Sequence, residues 1–137
     1  MMHATVAAQE AAGLESLRAF VAENFQEFRP FAYYDKHLDC IRVQIRDCSV
    51  AEERLSRIFT ILKPMHAETL EYVGFTVKGV CHLFDRLGIE PSGVIRLAEI
   101  LDEIVKKFPD RAVRLVKEEV MRNRVMQELS VDFAEAA

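Results

Sequence analysis

The sequence predicts an α+β fold: an antiparallel β-meander preceded by an N-terminal helix and followed by C-terminal helices. Three observations predict it. Apolar residues recur every three or four positions near the start, alternate with polar ones in the middle, and return to helical spacing from residue 80 onward. At 137 residues, half of them apolar and 29% charged, the chain has the size and composition of one globular domain, 1–137.

In the first zone, residues 5–28, Leu14, Leu17, Val21, Phe25 and Phe28 fall on one face among Ala, Glu and Gln, which predicts an amphipathic helix. Pro30 ends it, because its ring cannot continue the hydrogen-bond ladder. The zone from 31 to 80 changes period. In "DCIRVQIRD" Ile41, Val43 and Ile45 alternate with Arg42, Gln44 and Arg46, which predicts a strand near 40–46. In "YVGFTVKGV" Val73, Phe75 and Val77 alternate with Thr76 and Lys78, which predicts another near 72–78. Gly74 inside that run marks a bulge or a close backbone approach.

Between the two strands, "SVAEERLSRIFTILKP" supports two readings. Ser49 with Glu52 forms a capping box, and Ala51, Leu55, Ile58, Phe59 and Leu62 share a helical face. The β-branched and aromatic run Ile58 to Ile61, with Pro64 and the polar segment "MHAETLE" after it, reads instead as part of an antiparallel pair.

The successive segments "YYDKHLDCIRVQI", "EERLSRIFTIL" and "YVGFTVKGV" resemble the small bacterial domain family of unknown function DUF2283. Tyr34, Asp35, Asp39, Val73 and Gly74 stand where that pattern would place them, over about residues 31–85. The resemblance implies antiparallel strands running into a helix, and so strand for the second half of 51–63. It implies no activity, since the family has none assigned.

The zone from 80 to 130 is helical. Val80, Leu83, Phe84 and Leu87 line one face of a helix stopped by Gly88. Beyond Pro91, Ser92 would cap a helix carrying Val94, Leu97, Ile100, Leu101, Ile104, Val105 and Phe108. Pro109 breaks it, and Asp110 caps a last helix with Val113, Val116, Val120, Met121, Met126 and Leu129. On that helix Arg114, Glu118 and Arg122 would neutralise one another. The tail "SVDFAEAA" reads as frayed.

Candidate chemistry is confined to two places. Asp35, His37 and Asp39 are residue types that ligate a divalent metal, but in a tight turn alternate side chains fan apart, and Asp has its own use there in bonding the turn. A turn is the expectation. Cys81, in the first turn of a helix with His82 beside it in sequence, is the candidate nucleophile. Consecutive helical residues point about 100° apart, so the two are no ready nucleophile and base, and a buried thiol beside Val80 and Phe84 is expected.

Cys40, Cys48 and Cys81 are odd in number without a CxxC spacing, which predicts reduced thiols and, with no signal-like N-terminus, a cytoplasmic protein. The net charge of −4 gives no field to attract nucleic acid. No apolar run is long enough for a membrane span. No cofactor motif is present. The primary expectation is a non-catalytic interaction or regulatory module, a homodimer able to engage another protein, whose helices beyond Pro91 need more cover than a small sheet provides. The alternative is a small enzyme or ligand-binding protein with a pocket between the sheet and the C-terminal helices, using Cys81, His82 or the Asp35, His37 and Asp39 turn.

Overall fold

Two hairpins and one later strand build the main sheet. The computed structural model describes residues 2–24, 27–65 and 71–135. β1 (Phe31–Asp35) pairs antiparallel with β2 (Cys40–Gln44), Asp35 opposite Cys40 at the turn end. The Asp35 carboxylate accepts the backbone N–H groups of His37 and Leu38, at 2.9 and 3.1 Å, and Asp39 closes the turn with φ at 50°. Aspartate tolerates that left-handed conformation better than most residues.

β3 (Val50–Arg54) and β4 (Phe59–Pro64) form the second hairpin, where the Ser56 hydroxyl accepts the N–H groups of Ile58 and Phe59. The helix suggested by Ser49 and Glu52 does not form. Ser56 turns the chain, and the branched and aromatic side chains after it pack on a pleated surface instead.

β5 (Gly74–Lys78) then enters between the hairpins, giving the order β1-β2-β5-β4-β3, antiparallel throughout. Gly74 is the point of closest approach. A Cβ there would be driven into the carbonyl oxygen of Val43, with Gln44 Cα at 3.1 Å, so only glycine lets β2 lie this near.

The sheet is sided by its register. Ile41, Val77 and Phe59 stand in one row and Val43, Phe75 and Ile61 in the next; all but Ile61 are fully buried. On the opposite face Thr60 and Thr76 are cross-strand partners, both buried, with their hydroxyls bonded to each other. Gln44, also buried there, donates to the carbonyls of Arg46 and Cys48 and so ties down the chain leaving β2.

After Gly79, itself left-handed, α2 (Val80–Leu87) runs to Gly88, whose φ of 71° ends the helix as expected of a glycine C-cap. The next segment departs from expectation. Val94–Arg96 is extended (β6), so Ser92 does not cap α3 (Leu97–Lys107). Asp110 does cap α4 (Arg111–Arg122), accepting from Val113 N at 3.0 Å. Asn123 interrupts what looked like one helix and caps a short α5 (Arg124–Glu128).

The described part of the tail, residues 130–135, is not frayed. Ser130–Asp132 forms β7, paired with β6 and beside β1, and Phe133 packs against Tyr34 and Phe84 with ring centroids 5.2 and 5.5 Å away. The strand pairing is with residues some 35 positions earlier, which composition of the tail alone does not reveal.

Leu97, Ile100, Leu101 and Ile104 of α3 and Val113, Val116 and Val120 of α4 share one core with the sheet. Most of the apolar stripe beyond Pro91 is therefore satisfied within the chain, because the sheet has five strands and the β6-β7 pair adds cover, while Val94 and Met121 stay more than half exposed. Lys117 pairs with Asp102 of α3 at 2.8 Å and Arg122 with Glu119, in place of the Arg114, Glu118 and Arg122 ladder.

α1 (Met2–Asn24) stands apart. Every side chain described on it, from residue 13 to 24, is exposed, so that part of the helix covers neither face of the sheet. It ends before Phe28, which packs edge-on against Phe31; Phe25 and residues 66–70 lie outside the described residues. No described helix is long and apolar enough to cross a membrane.

Candidate functional site

Two features gather polar groups near α2, one on each side of it. The first is a clasp. Asp39, held in its left-handed turn, reaches across to the start of α2. Its carboxylate accepts the N–H of Cys81 at 3.1 and 3.2 Å, and its backbone carbonyl accepts that of Val80. Gly79 has no side chain to cap the helix, so Asp39, 42 positions before Cys81, does so.

The Tyr34 hydroxyl donates to Asp39 Oδ1 at 2.7 Å and lies 3.5 Å from the Cys81 sulfur. With the phenol proton committed to the carboxylate, the thiol is the donor in the second contact. Burial, followed by the hydrogen bonds to Cys81 and Asp39 and the Asp39 charge, pushes the phenol well above the ordinary tyrosine range. Tyr34 therefore stays protonated and cannot draw a proton from the thiol. Cys81 is exposed rather than buried, since its position in the first turn of α2 faces the hairpin and not the core.

The metal-ligand candidates are turned to different tasks. Asp35 bonds its own turn, Asp39 holds Tyr34 and α2, and His37 is exposed. Among the described residues no three His, Cys, Asp or Glu side chains are grouped to hold a metal. Cys40 and Cys48 are both free. Burial, then the neighbouring carboxylates of Asp35 and Glu52, raises the Cys40 thiol above its ordinary value.

The second feature is a groove of about 550 Å³ on the other flank of α2. Three separate segments make it: the β3-β4 turn with Ser56, Arg57 and Ile58; the β5-α2 passage with Lys78, Gly79, His82, Leu83 and Arg86; and Phe108 and Asp110 before α4. His82 and Arg86 sit one helical turn apart and share this side, while Cys81 faces the clasp. The two sequence neighbours are thus separated by the helix they belong to. Arg86 lies over the Phe108 ring, its guanidinium carbon 4.9 Å from the centroid.

Of the groove residues, the sequence singled out only His82 as a candidate for chemistry. Arg57, Lys78 and Arg86 come from distant segments, and only the four-residue spacing of His82 and Arg86 signals a shared side before the fold is known. No protein-family model, no curated protein and no solved structure matches the chain.

Proposed function

We propose that the protein is a non-catalytic interaction module that self-associates through α1. The observation carrying this reading is the exposure of Leu14, Leu17, Phe20 and Val21, each more than half open to solvent, on a helix of 23 residues. A lone helix gains little from its own hydrogen bonds in water, so most of its stability has to come from covering an apolar face. The rest of the chain closes its core without using that face. The expected interface therefore moves from the helices beyond Pro91 to α1, and a second copy supplies a matching stripe.

In an antiparallel pair Leu14 of one helix meets Val21 of the other, with Leu17 at the centre. Covering the four side chains of each copy at about 1 kcal/mol apiece gives about 8 kcal/mol before the cost of association, which makes the dimer weak and concentration-dependent. The three free thiols accord with a reducing, cytoplasmic setting.

Sedimentation tests the proposal. The unmodified chain should shift from monomer to dimer with rising concentration, and Leu17→Asp should remain monomeric with an unchanged melting temperature. A monomer at about 200 μM, or a dimer indifferent to Leu17→Asp, would overturn it.

A further inference from the structure

The groove beside α2 combines features that α1 and the clasp lack. Its floor is apolar, made by Ile58, the buried Leu83 and the half-buried ring of Phe108. Three cations surround it: Arg57 from the β3-β4 turn, Lys78 from the end of β5, and Arg86 from α2. None of them is in an ion pair among the described residues, although five other pairs form elsewhere on the chain. The lining carboxylate, Asp110, is occupied at Oδ1 by the first turn of α4. A chain of net charge −4 thus keeps three cations and the imidazole of His82 around one apolar hollow, with a single carboxylate among the described residues that line it.

We propose that this groove binds a small organic phosphate carrying a flat apolar group. The volume, about 550 Å³, is that of a small-molecule site, and an apolar floor with a few polar groups above it is the usual construction of one. The number of cations selects the anion. A phosphate monoester carries nearly two negative charges at neutral pH, so it makes use of two arginines and a lysine where a single carboxylate satisfies one arginine. The flat group lies along Leu83 and Phe108, and Arg86, already stacked on the Phe108 ring, is placed to touch both halves of the ligand. The Lys78 N–H bond to the Ile58 carbonyl fixes the β5 end of the groove to its β3-β4 wall, so the cations of both segments are held on one rigid scaffold. This site is independent of the described part of α1, which contributes none of its lining.

Titration of the full chain with 1-naphthyl phosphate, followed by amide chemical shifts, tests the assignment. Saturable binding with a Kd below about 1 mM, and shifts centred on residues 56–58, 78–86 and 108–110, is expected. Inorganic phosphate and neutral 1-naphthol should each bind at least about tenfold more weakly, since each lacks half of the recognised chemistry. Arg57→Gln and Lys78→Gln alter exposed side chains that make no ion pair among the described residues, so both variants should fold as the parent does and each should weaken 1-naphthyl phosphate by about tenfold. Absence of saturation, shifts centred elsewhere, or equal affinity in both variants would overturn the proposal. So would 1-naphthoate binding as tightly as the phosphate, because the cations would then not be counting charge.

Discussion

The Tyr72 hydroxyl is buried and finds no hydrogen-bond partner among the described residues, and burial together with the charge of Glu119 pushes its phenol above the ordinary range. A buried hydroxyl without a partner loses its hydration for no return. Tyr72→Phe should accordingly leave stability unchanged or raise it by about 1 kcal/mol in a urea titration. Tyr34 shares the raised pKa, again through burial first, with the hydrogen bonds to Cys81 and Asp39 and the Asp39 charge adding to it. The folded chain keeps both phenol protons at a pH where the unfolded chain releases them. Titration of the two phenols leaves stability unchanged well below a pH of about 10 and lowers it as the pH rises further. The urea midpoint should therefore fall between pH 9 and pH 11, and the fall should be shallower in Tyr72→Phe. Asp39→Gly separates conformation from bonding at the clasp, because glycine accepts the same φ but has no carboxylate. A loss of about 2 kcal/mol in chemical denaturation is expected. The sequence signalled the turn at Asp35 and Asp39 through local chemistry. That Asp39 caps a helix was not legible, because its partner is brought up only by the pairing of β2 with β5.

Among the elements, the strands with clean alternation could be read in advance and those joined by long-range pairing could not. Ile41 and Val43, and Phe75 and Val77, gave away β2 and β5. β3 and β4 shared their apolar spacing with a helix, and it took the Ser56 turn to divide them. β6 and β7 have three residues each, too few for a period to emerge, and each exists because the other pairs with it. The tail accordingly carries weight. Phe133→Ala should cost about 3 kcal/mol, since the ring is nearly buried between Tyr34 and Phe84 and its loss leaves a hole beside the core. Gly74→Ala should cost about 3 kcal/mol as well, because the clash is with the backbone of β2 and no flexible side chain can yield. Thermal unfolding of both variants checks these values against a surface control such as Glu90→Gln.

Over the whole molecule, two apolar faces that look alike in sequence have different fates. Leu101 is fully buried in the core, whereas Leu17 is exposed on α1. Leu101→Asp should unfold the chain by stranding a charge in the interior, and Leu17→Asp should leave a folded monomer. Circular dichroism and sedimentation on the two variants separate the outcomes. Helical spacing identified both stripes but not their surroundings, since how much cover a stripe finds depends on the number of strands in the sheet. The groove was invisible for a related reason: its cations are spaced irregularly at 57, 78 and 86, and only the finished topology sets them around one hollow.

The position of β5 at the middle of the sheet also sets an order of events at the ribosome. β1 to β4 are synthesised first, as two hairpins whose inner edges, β2 and β4, have no partner until residues 74–78 emerge. Through that interval the nascent chain presents two unpaired strand edges flanked by Ile41, Val43 and Phe59, the kind of surface that recruits other chains. Arrival of β5 closes both edges in one step. The same strand runs straight into α2, so the Asp39 cap and the groove come into being together with the sheet, and a chain halted before Gly74 would have neither.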